Sequence, residues 1–247
     1  MPVPPRRVDL EGLRHGGDAS GAVGAATVRS GWQHRSMTDK AERPYHHGNL
    51  KSALVEAAVS RARAGGPDAV ILRDVAADVG VSASAAYRHV RDRDHLMTLV
   101  SQVARQELAR TMIDETDAVQ PTGDPAGDAV ARFEACGRGY IEFAIGSAAL
   151  FRTAFLSTGC PPDTADHPDA ALVLATGIDG LIEAGLLDHG RRMDAALIAW
   201  TAVHGLSCLM VDDMVALGLG IMPDEAKRAV LDSVLRAVVN QDVVLQR

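Results

Sequence analysis

The sequence predicts an all-α protein with a small three-helix head and a larger helical body. Residues 72–97, LRDVAADVGVSASAAYRHVRDRDHLM, indicate two short helices joined by a glycine turn and followed by a third helix. Further helical segments, separated by Gly and Pro breaks, account for the rest of the chain. A length of 247 residues suits two such domains.

The glycine turn is flanked by the signals that end one helix and start the next. The first helix carries an apolar face at the spacing i, i+3, i+4 and i+7, formed by Leu72, Val75, Ala76 and Val79. Gly80 is expected to end it, and the Ser82 hydroxyl to cap the helix that follows. On that second helix, the residues expected to face inward are Ala83, Ala86, Tyr87 and Val90.

The outer face of the second helix predicts a DNA-reading surface, formed by Ser84, Ala85, Arg88 and His89. Small residues allow close approach to base edges in a major groove, and Arg88 and His89 can reach phosphate or guanine acceptors. Any pair of helices with a glycine turn imitates this pattern. Two packed helices without DNA contact are therefore the alternative.

The flanking segments narrow the choice. Residues 45–66 form a predicted amphipathic helix that starts YHHGNL and stops at Gly65 and Gly66, and Asp92 is placed to cap the long helix that opens with RDHL. Over residues 45–100 the chain resembles the DNA-binding domain of the TetR family of bacterial repressors, on GVSASAAYRHV followed by RDRDHL. The pattern WTAVHG at residues 200–205 is typical of one branch of that family.

This resemblance implies a homodimer that binds double-stranded DNA at a palindromic operator and an apolar small-molecule effector in the body. The candidate DNA contacts are Tyr45, His46, Arg73, Ser82, Ser84, Ala85, Tyr87, Arg88, His89 and Arg93. The chain departs from the family at three places. Ile71 or Leu72 stands where many relatives cap a helix with Ser or Thr, Val90 replaces a Phe, and Arg93 replaces a phosphate-binding Lys.

The predicted body helices cover residues 93–114, 125–146, 170–184, 193–217 and 223–243, with a short helix near Leu150 and a loop over 159–168. Most of the few aromatic residues fall in this body, so we expect the ligand pocket to be lined by Phe133, Tyr140, Phe143, Phe151, Phe155, Trp200 and His204. Core packing is the alternative for each of them. Trp200 and His204 are four residues apart, which also fits a core aromatic stacked on a locally satisfied histidine.

The last helix carries an apolar stripe, formed by Ala226, Val230, Val234, Leu235, Val238 and Val239. Such a stripe fits either a dimer interface or an intramolecular core. A palindromic operator needs two heads, so we interpret the stripe as the dimer contact.

The charge of the chain is unevenly distributed. Residues 41–113 carry ten Lys and Arg against eight Asp and Glu, whereas residues 114–247 carry nine against twenty, within a net charge of −7. An acidic body is repelled by phosphates, which favours docking through the head. We accordingly expect a disordered N-terminal extension over 1–40, a DNA-binding domain over 41–100 and a ligand-binding and dimerisation domain over 101–247.

Other function classes find little support in the sequence. The three cysteines lack metal-ligand spacing, no cofactor or metal site is indicated, and the motifs GxSxG, HExxH and a Gly-rich phosphate loop are missing. The apolar run near 198–211 is too short to span a bilayer and no targeting signal is visible, so we expect a cytoplasmic protein. A ligand-sequestering protein that binds no operator is the main alternative, and an enzyme is a more remote one.

Overall fold

A computed structural model describes residues 50–156, 169–214 and 223–239, all of which lie in one compact unit that spans Pro44–Arg247. Throughout these residues the regular structure is helical, as the sequence predicts. The expectations for residues 1–40, for Tyr45 and His46 and for the 159–168 loop fall outside the described residues.

The head consists of three helices. They are α1 (Leu50–Gly65), α2 (Leu72–Val79) and α3 (Ala83–Ala86), with a short 3-10 turn, Pro67–Ala69, between the first two. Gly80 ends α2 in the left-handed conformation, with φ of 78°, which a residue with a Cβ rarely adopts. The predicted end of the first helix of the pair is therefore confirmed.

The body consists of α4 (Arg93–Asp117), α5 (Pro125–Gly146), α6 (Ala148–Ala154), α7 (Ala170–Glu183), α8 (Arg192–Val211) and α9 (Pro223–Val239). Side-chain N-caps mark where several of these helices begin. Asp92 accepts the backbone N–H of His95 at 2.7 Å, and Asp124 and Asp169 cap α5 and α7 in the same way.

One apolar core runs from the head into the body. Leu54 of α1, Val75 of α2 and Val90 after α3 belong to the same buried cluster as Leu108 of α4 and Ile141 of α5. A second cluster lies farther from the head, where Phe133, Ile178 and Val238 are buried between α5, α7, α8 and α9. The head is thus packed onto the body rather than joined by a linker, and the boundary near residue 100 stays a prediction.

Half of the apolar stripe of α9 is core, so the interpretation as a dimer contact was wrong for Ala226, Val234 and Val238 and stays a prediction for the other three residues. Ala226, Val234 and Val238 are buried inside the chain, and Val230, Leu235 and Val239 pack partly buried against the same core. Several large apolar side chains of α8 are exposed instead. Met193, Leu197 and Leu209 are exposed by 67, 51 and 44%.

The apolar run around α8 is longer than the sequence interpretation assumed. Together with the 3-10 turn before it, the helix extends over His189–Val211, 23 residues with a mean hydropathy of 1.5, which is enough in length and composition to cross a membrane. The argument that the run is too short was therefore wrong. In this fold 33% of its apolar window is buried, and α8 packs against α5, α7 and α9, so a core helix explains the same composition.

Candidate DNA-reading surface and ligand cavity

The start of α3 has the geometry that the sequence predicts. The Ser82 hydroxyl accepts the backbone N–H of Ala85 at 3.2 Å and contacts the Ser84 hydroxyl at 3.0 Å. Helical backbone bonds continue past α3, since Val90 N–H donates to Ala86 O at 3.0 Å. The N-cap of α2 is Ile71, whose side chain makes no capping bond, so the departure from the family pattern is real.

Most of the candidate DNA contacts that the structure describes are exposed or partly exposed side chains of the head. Ser82, Ser84, Arg88 and Arg73 are exposed, and Ala85 and His89 are partly exposed. Within the described residues Arg88 has no ion-pair partner, so its guanidinium is available to bind a ligand such as a phosphate or a base. Tyr87 is exposed by 55%, which contradicts the expectation that it faces inward. Its side chain extends past the core because Ala86 and Val90 already fill the inner face.

Arg93 has a structural contact that the sequence did not indicate. Its Nε donates to Val70 O at 3.0 Å, and its Nη2 donates to Pro67 O at 2.8 Å. These bonds tie the start of α4 to the turn between α1 and α2. Guanidinium carries five N–H donors, so a phosphate contact by Arg93 stays a prediction beside this role.

Substitutions on the candidate recognition surface test which side chains read bases and which bind the DNA backbone. Replacing Ser84 with Leu, or Arg88 with Gln, is expected to change base preference and to cost about 1 to 3 kcal/mol at the operator, because these exposed side chains are the ones we expect to contact base edges. Arg93→Ala is expected to weaken binding to all sequences and to lower the melting temperature of the head, since two backbone contacts are lost. Binding titrations on variant operators beside thermal melts separate these effects. A change of base ranking by Arg93→Ala alone would reverse the roles.

The body contains a cavity of about 990 Å³, within the size range of small-molecule sites. Four of the predicted pocket residues line it, namely Phe133, Tyr140, Phe155 and Trp200. Phe143 and Phe151 lie in the buried core instead, and His204 is not part of the lining. Their assignment to the pocket wall does not match this geometry, because none of the three contributes to the cavity lining.

Tyr140 connects the cavity wall to His204. The Tyr140 hydroxyl lies 2.8 Å from His204 Nδ1, and Cys208 Sγ lies 3.6 Å from His204 Nε2. Burial lowers the pKa of His204, which favours the neutral ring, and it raises the pKa of Tyr140. His204 is therefore satisfied locally, as the alternative interpretation held. Trp200, however, is exposed by 47% and is not a core aromatic.

Residues of α4 also line the cavity, and the sequence analysis missed them. Leu99, Gln102, Val103 and Gln106 follow one another at i, i+3, i+4 and i+7, and Arg105 lies beside them. The only sequence signal for a cavity wall here is that amide side chains interrupt an otherwise apolar helix face. Helix α4 thus forms a cavity wall. It begins at Arg93, a few residues after His89 of the candidate recognition surface.

Comparisons with known proteins agree with this architecture. Residues 133–238 match the family described as tetracyclin repressor-like, C-terminal domain, a region that includes the cavity residues of α5 and α8 and the pattern at 200–205. No curated protein matches the chain significantly. A structure of a protein of unknown function from Rhodococcus sp. RHA1 has 26% identity and a TM-score of 0.61, and the match covers 80% of this chain and 100% of that one.

A second solved structure, of the candidate regulatory protein SCO4313, has 18% identity and a TM-score of 0.52, with 76% of this chain and 96% of that chain covered. At that identity it supports the fold alone. A helix-turn-helix head packed on a helical body with a cavity defines the fold of a DNA-binding transcriptional regulator. The family match covers residues of the body and none of the head, and it supports a likeness of the body to TetR-type transcriptional regulators.

Proposed function

We propose that the protein is a cytoplasmic repressor that binds a palindromic operator as a homodimer and is released by an apolar small-molecule effector. The observation that carries this proposal is the double role of α4. Its N-terminus, capped by Asp92, is tied through Arg93 to the turn between α1 and α2 in the head, and its middle forms a wall of the cavity. A ligand in the cavity therefore acts on the helix that positions the DNA-reading residues.

A second connection supports the coupling of the two sites. Ser101 Oγ and Arg105 Nη1, both on α4, donate to the Ala154 carbonyl at the end of α6 at 2.7 and 3.2 Å. Helix α6 packs against α1 of the head. A ligand that shifts α4 relative to α6 would change the position of the head, with a coupling free energy of about 1 to 3 kcal/mol, as is usual in allostery.

Dimerisation is supported by the two-fold symmetry of a palindromic operator and by exposed apolar side chains. One recognition helix per chain reads one half-site, and two-fold related half-sites need two chains. Helix α8 exposes Leu209 outside the cavity lining, and contact with a second chain would cover it. The modest charge of the head also favours two heads acting together, because each phosphate contact adds only part of the affinity.

Selection of bound sequences from a random DNA pool by the full-length protein tests the proposal. We expect a palindrome with half-sites about one helical turn apart, because a two-fold dimer presents two recognition helices at that spacing. Sedimentation of the complex should give two chains per duplex. One chain on a non-repeated site would contradict the dimer, and a pool without enrichment would favour a ligand-sequestering protein.

A further inference from the structure

The cavity has one polar wall and one apolar wall. The polar wall is a strip of hydrogen-bond donors on α4, formed by Gln102, Arg105 and Gln106. Met193, Leu197 and Trp200 of α8 supply apolar lining, and Phe133 of α5 extends it. A ligand that satisfies both walls has an extended apolar part and one polar group.

Arg105 is the cation of this lining, and its position is fixed by the fold. Its Nη1 donates to Ser101 Oγ at 3.1 Å and to Ala154 O at 3.2 Å. Among the residues that the structure describes, no carboxylate pairs with Arg105, and its Nε and Nη2 make no hydrogen bond. A planar guanidinium with one nitrogen anchored and the others available is suited to two parallel bonds with a carboxylate.

Two carboxylates also line the cavity, and their charges affect its preference between anionic and cationic ligands. Asp169 accepts the Ala171 backbone N–H at 3.2 Å and caps α7, so its charge is partly satisfied by a helix N-terminus. Glu134 of α5 has no ion-pair partner within the described part of the chain. It would weaken the binding of an anion and strengthen the binding of a cation. Removing its charge should therefore change the affinities for anionic and cationic ligands in opposite directions.

We infer that the effector is an amphiphilic organic acid whose carboxylate binds Arg105 and Gln106 while its apolar part lies against α8. This inference rests on the proposed function, since it names the chemical class that the effector cavity takes. Arg105 recognises the charged group, and the apolar wall contributes affinity in proportion to the area of ligand that it covers.

Isothermal titration of the full-length protein with two matched series tests this inference. The first series is decanoate, decanol and decylammonium, and the second is naphthylacetate, naphthylethanol and naphthylethylammonium. We expect the carboxylate of a series to bind about 10-fold or more tighter than its alcohol, because charged hydrogen bonds are roughly twice as strong as neutral ones. Arg105→Gln should abolish this preference.

Two further variants complete the test. Arg110→Gln removes the same charge from an exposed site on α4 outside the cavity lining, and it should leave all affinities unchanged. Glu134→Gln should strengthen carboxylate binding and weaken ammonium binding. Equal affinity for carboxylate and alcohol, or a preference for ammonium, would overturn the inference but keep the effector cavity. If no probe of either series bound, the effector part of the proposed function would fall with it.

Discussion

Phe151→Ala is expected to lower the free energy of unfolding by about 3 to 5 kcal/mol, the usual cost of removing a buried aromatic side chain. Phe151 is exposed by only 2%, and its ring meets those of Tyr140 and Phe155 edge-on, with centroids 5.9 and 5.4 Å away. Truncation would leave a void at the junction of α5 and α6. Urea denaturation followed by far-ultraviolet circular dichroism measures the loss.

Trp200→Ala is the matched comparison, and its expected cost is about 1 kcal/mol or less, because half-exposed side chains lose little burial. The sequence alone does not distinguish the two side chains, since it predicts both as pocket lining with core packing as the alternative for each. The structure places Trp200 in the cavity lining with 47% exposure. An equal loss of stability in the two variants would contradict this distinction.

The head could be predicted closely because its signals are local. A cap hydroxyl at Ser82, a left-handed glycine at Gly80 and a carboxylate at Asp92 act on backbone groups within a few residues of themselves. The folded structure reproduces all three. The start and end of α5, at Pro125 and Gly146, follow from local signals in the same way.

The arrangement of helix faces could not be predicted so well, because periodicity shows which face is apolar but not what covers it. The stripe of α9 is covered by α5 and α8 of the same chain. Tyr87 lies at a position where helical spacing indicates the core, but Ala86 and Val90 already close the small interior of the head. Gln102 and Arg105 line the cavity because of how α4 packs against α5, and no local signal in the sequence indicates that pairing.

Gly139→Ala is expected to destabilise the fold by about 1 to 3 kcal/mol, a typical cost of overpacking. Helices α4 and α5 cross so closely here that a Cβ on residue 139 would lie 2.7 Å from Met112 Cα and 2.9 Å from Thr111 O. Both atoms belong to the backbone of α4, so relief requires moving the whole helix. Since α4 also forms the cavity wall, the variant is expected to weaken effector response together with stability.

Gly180→Ala supplies the control, because Gly180 lies within α7 and a Cβ there would meet no atom within 4 Å. Alanine in a helix interior is favoured over glycine by about 0.5 to 1 kcal/mol, so this change is expected to stabilise the protein. The same chemical substitution should thus have opposite signs at two helical positions. Thermal or urea melts of both variants measure the change in stability. Stabilisation by Gly139→Ala would mean that α4 and α5 are farther apart than described.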